Sequence, residues 1–302
     1  MVSWMPGSEW IKENIGMDKE TKTKIHLFFR RLFKRKLVML AAILVLFFIL
    51  TAIFAPLLTP YEPNKQDLTA ILQKPSASHW LGTDEAGRDV LTRIFYGART
   101  SLIIGVVSVL ISAVAGVTLG LVSAYYGGLL NTVISRFIDV LMSLPSLMLA
   151  LALGLVFGHS IGSLMIILGI STIPTYTRMM SAQVLSVKNQ DYITAERVAG
   201  ARNSRILISH ILPNCFSPIL VLLTFNIGMT ILAESSLSFL GMGINPPTAS
   251  WGAMVSAGCS KLLLNPVYGI APGVCVCLLV YGFNVLGDGL RDVLDPRLRG
   301  SL

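Results

Sequence analysis

The chain has 302 residues, of which 53% are hydrophobic and only 13% are charged, about half of the charged share of roughly 25% that is typical of soluble proteins. A soluble fold of this size would lack the polar side chains to cover its surface, and the same composition excludes a disordered, coiled-coil or collagen-like chain. The net charge is +8, and nine of the 24 Lys and Arg residues precede residue 37, directly before a long apolar run. We therefore expect an all-α polytopic membrane protein that contacts lipid and binds no nucleic acid.

Long stretches without charged residues predict six transmembrane helices, because about 20 helical residues cross the hydrocarbon core of a bilayer. The predicted spans cover residues 37–58, 101–125, 140–158, 162–180, 215–238 and 268–287. The first apolar run is too long for the core of a cleaved signal peptide and follows 36 other residues, so we expect it to remain as an anchor. Six spans leave both termini on one side. That side holds 18 of the 24 basic residues, which predicts that both termini are cytoplasmic.

The predicted organisation has five parts. They are a cytoplasmic tail (1–36), a first span (37–58), an extracytoplasmic loop (59–99), a permease core with the other five spans (100–290) and a cytoplasmic tail (291–302). In the loop, Thr83 or Asp84 can cap a short amphipathic helix that starts at Glu85 and ends at Gly97. Such a helix would lie on the bilayer before the second span, whereas the alternative is a solvated loop.

The cytoplasmic segment of about 188–213 is longer than a connection between two helices requires. Asp191 can cap a first short helix, and Gly200 can end it. Ser204 can cap a second short helix, which Pro213 would stop. Two short helices joined at a glycine predict a surface for a partner protein.

Two features lie inside the apolar runs. Small residues at every fourth position of the second span predict close packing of another helix; they are Ser108, Ser112, Gly116, Gly120 and Ala124. Glu234 is the only acidic residue well inside an apolar run. An ionisable residue within a membrane is a functional candidate, so we expect Glu234 at an outer gate. The alternative is a structural carboxylate that reaches the interface or pairs with a neighbouring serine.

The sequence carries no motif for chemistry of its own. It has no phosphate-binding loop and no zinc motif, and its four cysteines are interpreted as small apolar filler. Residues 158–162 fit the pattern G-x-S-x-G, but two apolar helical runs flank them, so a tight turn is favoured over a hydrolase nucleophile. We expect no catalytic residue, metal site or bound cofactor. A stand-alone secondary transporter or channel would need several buried charges, and a membrane enzyme would need clustered polar residues.

Three segments carry a resemblance to a known family. They are Leu81–Asp84 with Gly87–Leu91, Ser238–Gly243 with Pro246, Pro247 and Ser250–Gly252, and Asn284–Asp288 with Asp295–Arg299. With these segments the chain resembles the C-type integral-membrane permease of bacterial ABC importers of the dipeptide, oligopeptide and nickel family. The resemblance covers the chain from about residue 30 to its end.

The cytoplasmic segment resembles the "EAA" loop of ABC importer permeases, which reads E-A-A, three residues, Gly, and then a stretch ending in Leu-Pro. Here Thr194 replaces the Glu, Glu196 replaces the second Ala, and His210 departs from the pattern two residues before Leu212. The resemblance implies that this loop is the coupling helix, which docks into a groove of the ATPase subunit. The coupling positions that it implies are Asp191, Thr194, Ala195, Glu196, Ala199, Gly200, Ala201, Leu212 and Pro213.

The resemblance also implies the rest of the assembly. It implies a type I ABC importer permease fold in a bacterial cell membrane and a heterodimer with a homologous second permease. Two cytoplasmic ATPase subunits would bind ATP and magnesium, and an extracytoplasmic binding protein would deliver the substrate. Peptides are the expected cargo, while nickel, glutathione, an opine or an antimicrobial peptide stay open as alternatives.

Overall fold

The computed structural model describes residues 30–294, and every regular element in that range is a helix. The greater part of both predicted tails lies outside the described residues. In chain order the helices are α1 (Lys36–Leu58), α2 (Val90–Tyr126), α3 (Gly128–Met142), α4 (Ser146–Phe157), α5 (Ile161–Val187), α6 (Asp191–Val198), α7 (Asn203–Phe239), α8 (Trp251–Cys259) and α9 (Pro266–Leu294). The predicted all-α class is confirmed.

Four of the described helices, α1, α2, α7 and α9, are long and apolar enough to cross a membrane. The pair α3 and α4 makes a fifth crossing unit if the bent pair is counted as one. Helix α5 covers the predicted span 162–180 and has 27 residues, but its Ser, Thr and Pro residues make it less apolar than the other four. The described chain therefore has four or five crossing units by length and composition, and the count of six stays a prediction.

The predicted single helix over residues 140–158 is wrong. Helix α3 ends at Met142, α4 begins at Ser146, and the two meet at an angle of 90°. Pro145 precedes α4 with an extended ψ of 136°. Proline has no N–H and disfavours the α conformation in the residue before it, so the helix stops where the apolar pattern continues.

The separate amphipathic helix predicted for residues 85–97 is also wrong. Helix α2 begins at Val90, because the Asp89 carboxylate caps it by accepting hydrogen bonds from the backbone N–H and the hydroxyl of Thr92, at 2.8 and 2.7 Å. The helix passes through Gly97 without a break. A Cβ at Gly97 would lie 2.6 Å from the indole ring of Trp251, so this glycine lets the ring approach the helix.

The small-residue stripe of α2 lies against α5. A Cβ at Gly116 would lie 2.6 Å from the Cβ of Tyr176, and a Cβ at Gly120 would lie 2.5 Å from the carbonyl oxygen of Thr177. Ser112, one turn before Gly116, is fully buried, and its hydroxyl donates to the Ser108 carbonyl within α2. The two backbones are therefore in contact over two turns, as small residues permit in a membrane.

Two of the apolar clusters among the described residues each join four or five helices. One joins α1, α2, α7, α8 and α9 and contains Phe48, Trp251 and Phe283. The other, which we call the inner cluster, joins α2, α5, α6 and α7. Its buried members are Ala124, Met180, Val184, Ile193, Ile206, Leu207, Ile211, Cys215 and Ile219.

Candidate functional site

Helix α6 lies within the segment that the sequence predicts to contact a partner. It ends at a Schellman motif, in which the N–H of Gly200 donates to the Arg197 carbonyl and the N–H of Ala201 donates to the Glu196 carbonyl, both at 3.0 Å. Gly200 has a φ of +80°, a conformation in which a Cβ is penalised. The backbone conformation at the end of this helix therefore favours glycine, as predicted for Gly200.

Both helix N-caps in this segment differ from the prediction. Gln190 rather than Asp191 is the N-cap residue, and no side chain caps the helix. The carboxylate of Asp191 lies instead in the first turn, where the helix dipole favours a negative charge. Similarly, the N-cap residue of the next helix is Arg202 rather than Ser204.

Pro213 does not stop the helix that follows. Residues Ile206–Ile211 form a π-helical turn, the N–H of Leu212 bonds to the Leu207 carbonyl, and α7 continues to Phe239. A proline clashes with the carbonyl one turn before it in a regular α-helix. The wider π turn directly before Pro213 provides the local change that lets the helix continue.

One buried side chain attaches α6 to the rest of the protein. Ile193 is fully buried in the inner cluster, among residues of α2, α5 and α7. Ala201 and Leu212 are partly buried against the same cluster. The short helix therefore has one side in the core, although it has only eight residues.

The opposite side of α6 is exposed and largely apolar. Thr194, Ala195 and Ala199 are exposed, and Val198 has 85% of its surface accessible. Val198 was not among the residues predicted from the sequence, although it follows Ala195 by three residues and so lies on the same helical face. This face is free to contact another protein.

Side chains also connect α6 to α2. The guanidinium of Arg197 lies over the ring of Tyr125, 5.4 Å from its centroid. The Tyr125 hydroxyl donates to Asn203 Oδ1 at 2.8 Å. The end of α2 thus contacts both α6 and the beginning of α7.

Glu234 lies at a second site, near the other end of α7. Its side chain is fully buried, and its carboxylate accepts hydrogen bonds from four serine hydroxyls. The donors are Ser101 at 3.2 Å, Ser235 at 3.4 Å, Ser238 at 2.9 Å and Ser250 at 3.0 Å. They belong to α2, to α7 and to the segment before α8, so this carboxylate joins three parts of the chain.

Arg93 holds the same segment from the other side and was also not predicted from the sequence. Its guanidinium donates to the carbonyls of Pro63 and Pro247 at 2.9 and 3.2 Å, and its Nε lies 3.5 Å from a carboxylate oxygen of Asp84. Asp84 also accepts from the Arg88 guanidinium at 2.7 Å. Loop 59–89 and the segment before α8 are thereby joined at one point.

Comparisons with known proteins agree with this architecture. Residues 116–300 match the family of the binding-protein-dependent transport system inner membrane component, and residues 23–75 match the N-terminal TM domain of oligopeptide transport permease C. The chain belongs to this family of transport permeases. It is therefore a permease subunit of an ABC importer, a multi-pass protein of the inner membrane that carries out transport rather than catalysis.

Several relatives match almost the whole chain. The dipeptide transport system permease protein DppC of Alkalihalophilus pseudofirmus is 41% identical over 271 residues, which is 90% of this chain and 89% of the relative. DppC of Bacillus subtilis is 42% identical over 89% of this chain and 85% of its own length. The glutathione transport system permease protein GsiD of Pectobacterium atrosepticum is 39% identical over 93% of this chain and 94% of its own length.

A solved structure shares the fold. A chain of the MetNI methionine ABC transporter, in an inward-facing conformation, has a TM-score of 0.56 and 19% identity, and the match covers 68% of this chain and 96% of that chain. The predicted ABC importer permease fold is confirmed at this level.

The Glu234 site gives a first prediction. In Glu234→Leu the hydroxyls of Ser101 and Ser238 lose their acceptor and Ser250 keeps only the Ser238 hydroxyl at 3.2 Å, and each buried polar group left without a partner costs about 1–3 kcal/mol. We expect the amides of residues 241–252 to exchange with deuterium at least about tenfold faster, since a cost of about 1.4 kcal/mol corresponds to tenfold.

The matched control is Ser236→Ala, because the Ser236 hydroxyl donates to the Leu232 carbonyl and not to Glu234. Hydrogen exchange with mass spectrometry on the detergent-solubilised protein measures both variants. Unchanged exchange over 241–252 in Glu234→Leu would show that the carboxylate does not hold this segment.

Proposed function

We propose that this chain forms half of the translocation pore of an importer for short peptides, next to a homologous second permease. The observation that carries the substrate class is the match over about nine tenths of the chain to dipeptide permeases of two organisms. A glutathione permease matches equally far, and glutathione is itself a short peptide. Dipeptides and tripeptides are therefore the proposed cargo.

The proposed topology has six crossings with both termini in the cytoplasm. It counts the bent pair α3 and α4 as one crossing and α5 as another, in addition to α1, α2, α7 and α9. The 18-to-6 distribution of basic residues supports this orientation. In this topology α6 lies in the cytoplasm, and the Glu234 site lies at the outer side.

Thiol labelling tests the orientation. In a cysteine-free variant, we expect a cysteine introduced at exposed Ser76 to react with a membrane-impermeant thiol reagent in spheroplasts, and one at exposed Ser204 to react only after the membrane is permeabilised. Labelling at Ser204 but not at Ser76 in sealed cells would reverse the proposed topology.

In the proposed topology, partner subunits bind on both sides of the membrane and beside the chain. Two cytoplasmic ATPase subunits would bind ATP and magnesium, and the exposed apolar face of α6 would dock into one of them. An extracytoplasmic binding protein would deliver the peptide. Apolar side chains of α3 and α4 that are more than half exposed support contact with the second permease or with lipid; they are Leu129, Val133, Phe137, Val140, Met148, Leu155 and Val156.

The proposed mechanism is alternating access driven from α6. Closure of the ATPase subunits on ATP would displace α6, and the burial of Ile193 in the inner cluster would pass this displacement to α5 and α7. At the outer side Glu234 would act as a gate residue, because it links α2 and α7 to the segment before α8.

Gly200→Val tests the docking of α6. We expect this variant to lose the ATPase subunits on affinity purification, because a Cβ at a φ of +80° costs about 1–2 kcal/mol and would turn α6 away from its partner. Gly158→Val is the matched control. Gly158 has a φ of +77° and, like Gly200, no heavy atom within 4 Å of the point that a Cβ would occupy, but it lies in the turn between α4 and α5.

Ala195→Trp provides a second variant that leaves the backbone of the turn unchanged. The bulky ring on the exposed face should block docking, so this variant should also lose the ATPase subunits while remaining in the membrane fraction. If both Gly200→Val and Ala195→Trp retain the ATPase subunits and full ATP-driven uptake, α6 is not the coupling helix.

A further inference from the structure

Two pairs of side chains connect α6 to the beginning of α7. Asn214 Nδ2 donates to the Tyr192 hydroxyl at 3.3 Å, and Glu196 Oε1 lies 3.5 Å from His210 Nε2. Tyr192 and Glu196 are one turn apart on α6, and His210 and Asn214 are four residues apart at the beginning of α7. The pairs are therefore two successive cross-links between antiparallel helical segments.

Glu196 and His210 face each other between α6 and the beginning of α7. His210 Nε2 is shielded from solvent and has no hydrogen-bond partner among the described residues. The carboxylate of Glu196 is the acidic group that faces it, at a distance suited to an electrostatic contact rather than a short hydrogen bond. About 27% of the His210 side chain and 31% of the Glu196 side chain are exposed.

Both residues are departures from the EAA pattern. Glu196 stands in place of an alanine, and His210 departs from the pattern two residues before Leu212. No sequence pattern accounts for either residue, whereas the structure brings the two together. Glu196, which replaces an alanine of the pattern, thus supplies the carboxylate that faces His210.

We propose that Glu196 and His210 are a positioning pair that fixes the angle of α6 against α7, so that α7 follows each displacement of α6. This proposal rests on the proposed role of α6 in coupling. Ile193 attaches α6 to the inner cluster through apolar contacts, and Arg197 attaches it to Tyr125 of α2. The contact of Glu196 with His210, one turn from that of Tyr192 with Asn214, fixes the orientation of α6 relative to the beginning of α7.

The location of His210 supports this role. His210 lies in the π-helical turn Ile206–Ile211, next to the buried side chain of Ile211. A π turn contains one residue more than an α turn, so it determines which side chains at this end of α7 face α6. The side chain that faces Glu196 therefore belongs to the first turns of a long helix.

The test uses the complete importer, with both permeases, the ATPase subunits and the binding protein, in proteoliposomes. The measured quantity is the amount of radiolabelled dialanine taken up per ATP hydrolysed. We expect Glu196→Gln and His210→Gln each to lower this ratio about two- to fivefold, the range that corresponds to losing one partly exposed polar contact. The double variant should be no worse than either single variant.

The exchanged pair gives the decisive comparison. Glu196→His combined with His210→Glu places a carboxylate and an imidazole opposite each other again at the same two positions, and we expect it to recover most of the lost ratio. Asp288→Asn on α9 is the matched control, because it removes one exposed carboxylate elsewhere, and it should leave the ratio unchanged. A purely structural role for either residue would give no recovery on exchange.

Three results would overturn the proposal: single variants with the ratio of the unmodified importer, losses that multiply in the double variant, or an exchanged pair that remains as impaired as the singles.

Purification of the ATPase subunits with Glu196→Gln separates this proposal from the proposed function. We expect the subunits to be retained there, and their loss would make Glu196 a docking residue instead. If Gly200→Val keeps the uptake per ATP of the unmodified importer, the proposed coupling role of α6 is wrong. If Gly200→Val loses it but the Glu196 and His210 variants keep it, only the proposed positioning pair is wrong.

Discussion

The backbone contact between α2 and α5 at Gly116 and Gly120 is the constraint on which the part of the protein around α6 depends. In a bilayer there is no hydrophobic driving force between helices, so close van der Waals packing must hold them together. Any side chain at Gly120 would overlap the carbonyl of Thr177 and the Cβ of Met180. The ends of both helices are therefore fixed next to each other.

This contact builds the surface on which α6 lies. Ala124 at the end of α2 and Met180 and Val184 on α5 are members of the inner cluster, which buries Ile193 of α6. The Lys188 ammonium group, just after α5, donates to the Ala124 carbonyl at 2.8 Å and adds a polar connection at the same place. An eight-residue helix could not hold its position alone, since isolated helices this short are unstable in water. The packing of Ile193 against α2, α5 and α7 therefore holds α6 in position.

Near the other end of α7, buried polar contacts hold the segment that leads into α8. The carboxylate of Glu234 and the guanidinium of Arg93 both hold the segment that leads into α8. Four hydroxyl donors satisfy the Glu234 carboxylate without a cationic partner within ion-pair distance among the described residues, which limits the cost of burying it. One end of α7 thus packs in the inner cluster, and the other combines apolar packing of Leu237 with the hydrogen-bonded carboxylate of Glu234.

The sequence predicted those features that depend on local backbone chemistry. Gly200 was predicted to end α6 because a helix commonly ends at a glycine with positive φ, and the small-residue stripe was predicted to pack because its spacing is that of one helical face. The errors arose where tertiary structure overrides a local signal. Gly97 does not end a helix, because its role is to let the indole ring of Trp251 pack against α2. Pro213 does not end a helix either, because the π turn before it accommodates the proline ring. The break at Pro145 lies inside an apolar run that hydropathy alone cannot divide. Contacts such as Glu196 with His210 join residues on different helices, so no spacing rule could reveal them.

In the proposed mechanism, α6 and the beginning of α7 move as one body during transport. A bifunctional thiol reagent that links Tyr192→Cys to Asn214→Cys, in a variant without the four native cysteines, tests it most directly. The reagent replaces one natural contact between the two helices with a covalent bond, and a monofunctional reagent on the same variant is the control. If the two helices move together, the linked importer, reconstituted with its partner subunits, keeps ATP-driven uptake of peptide at least equal to that of the control. Loss of uptake on linking, with the ATPase subunits still bound, would mean that α6 must move relative to α7 and would contradict the claim.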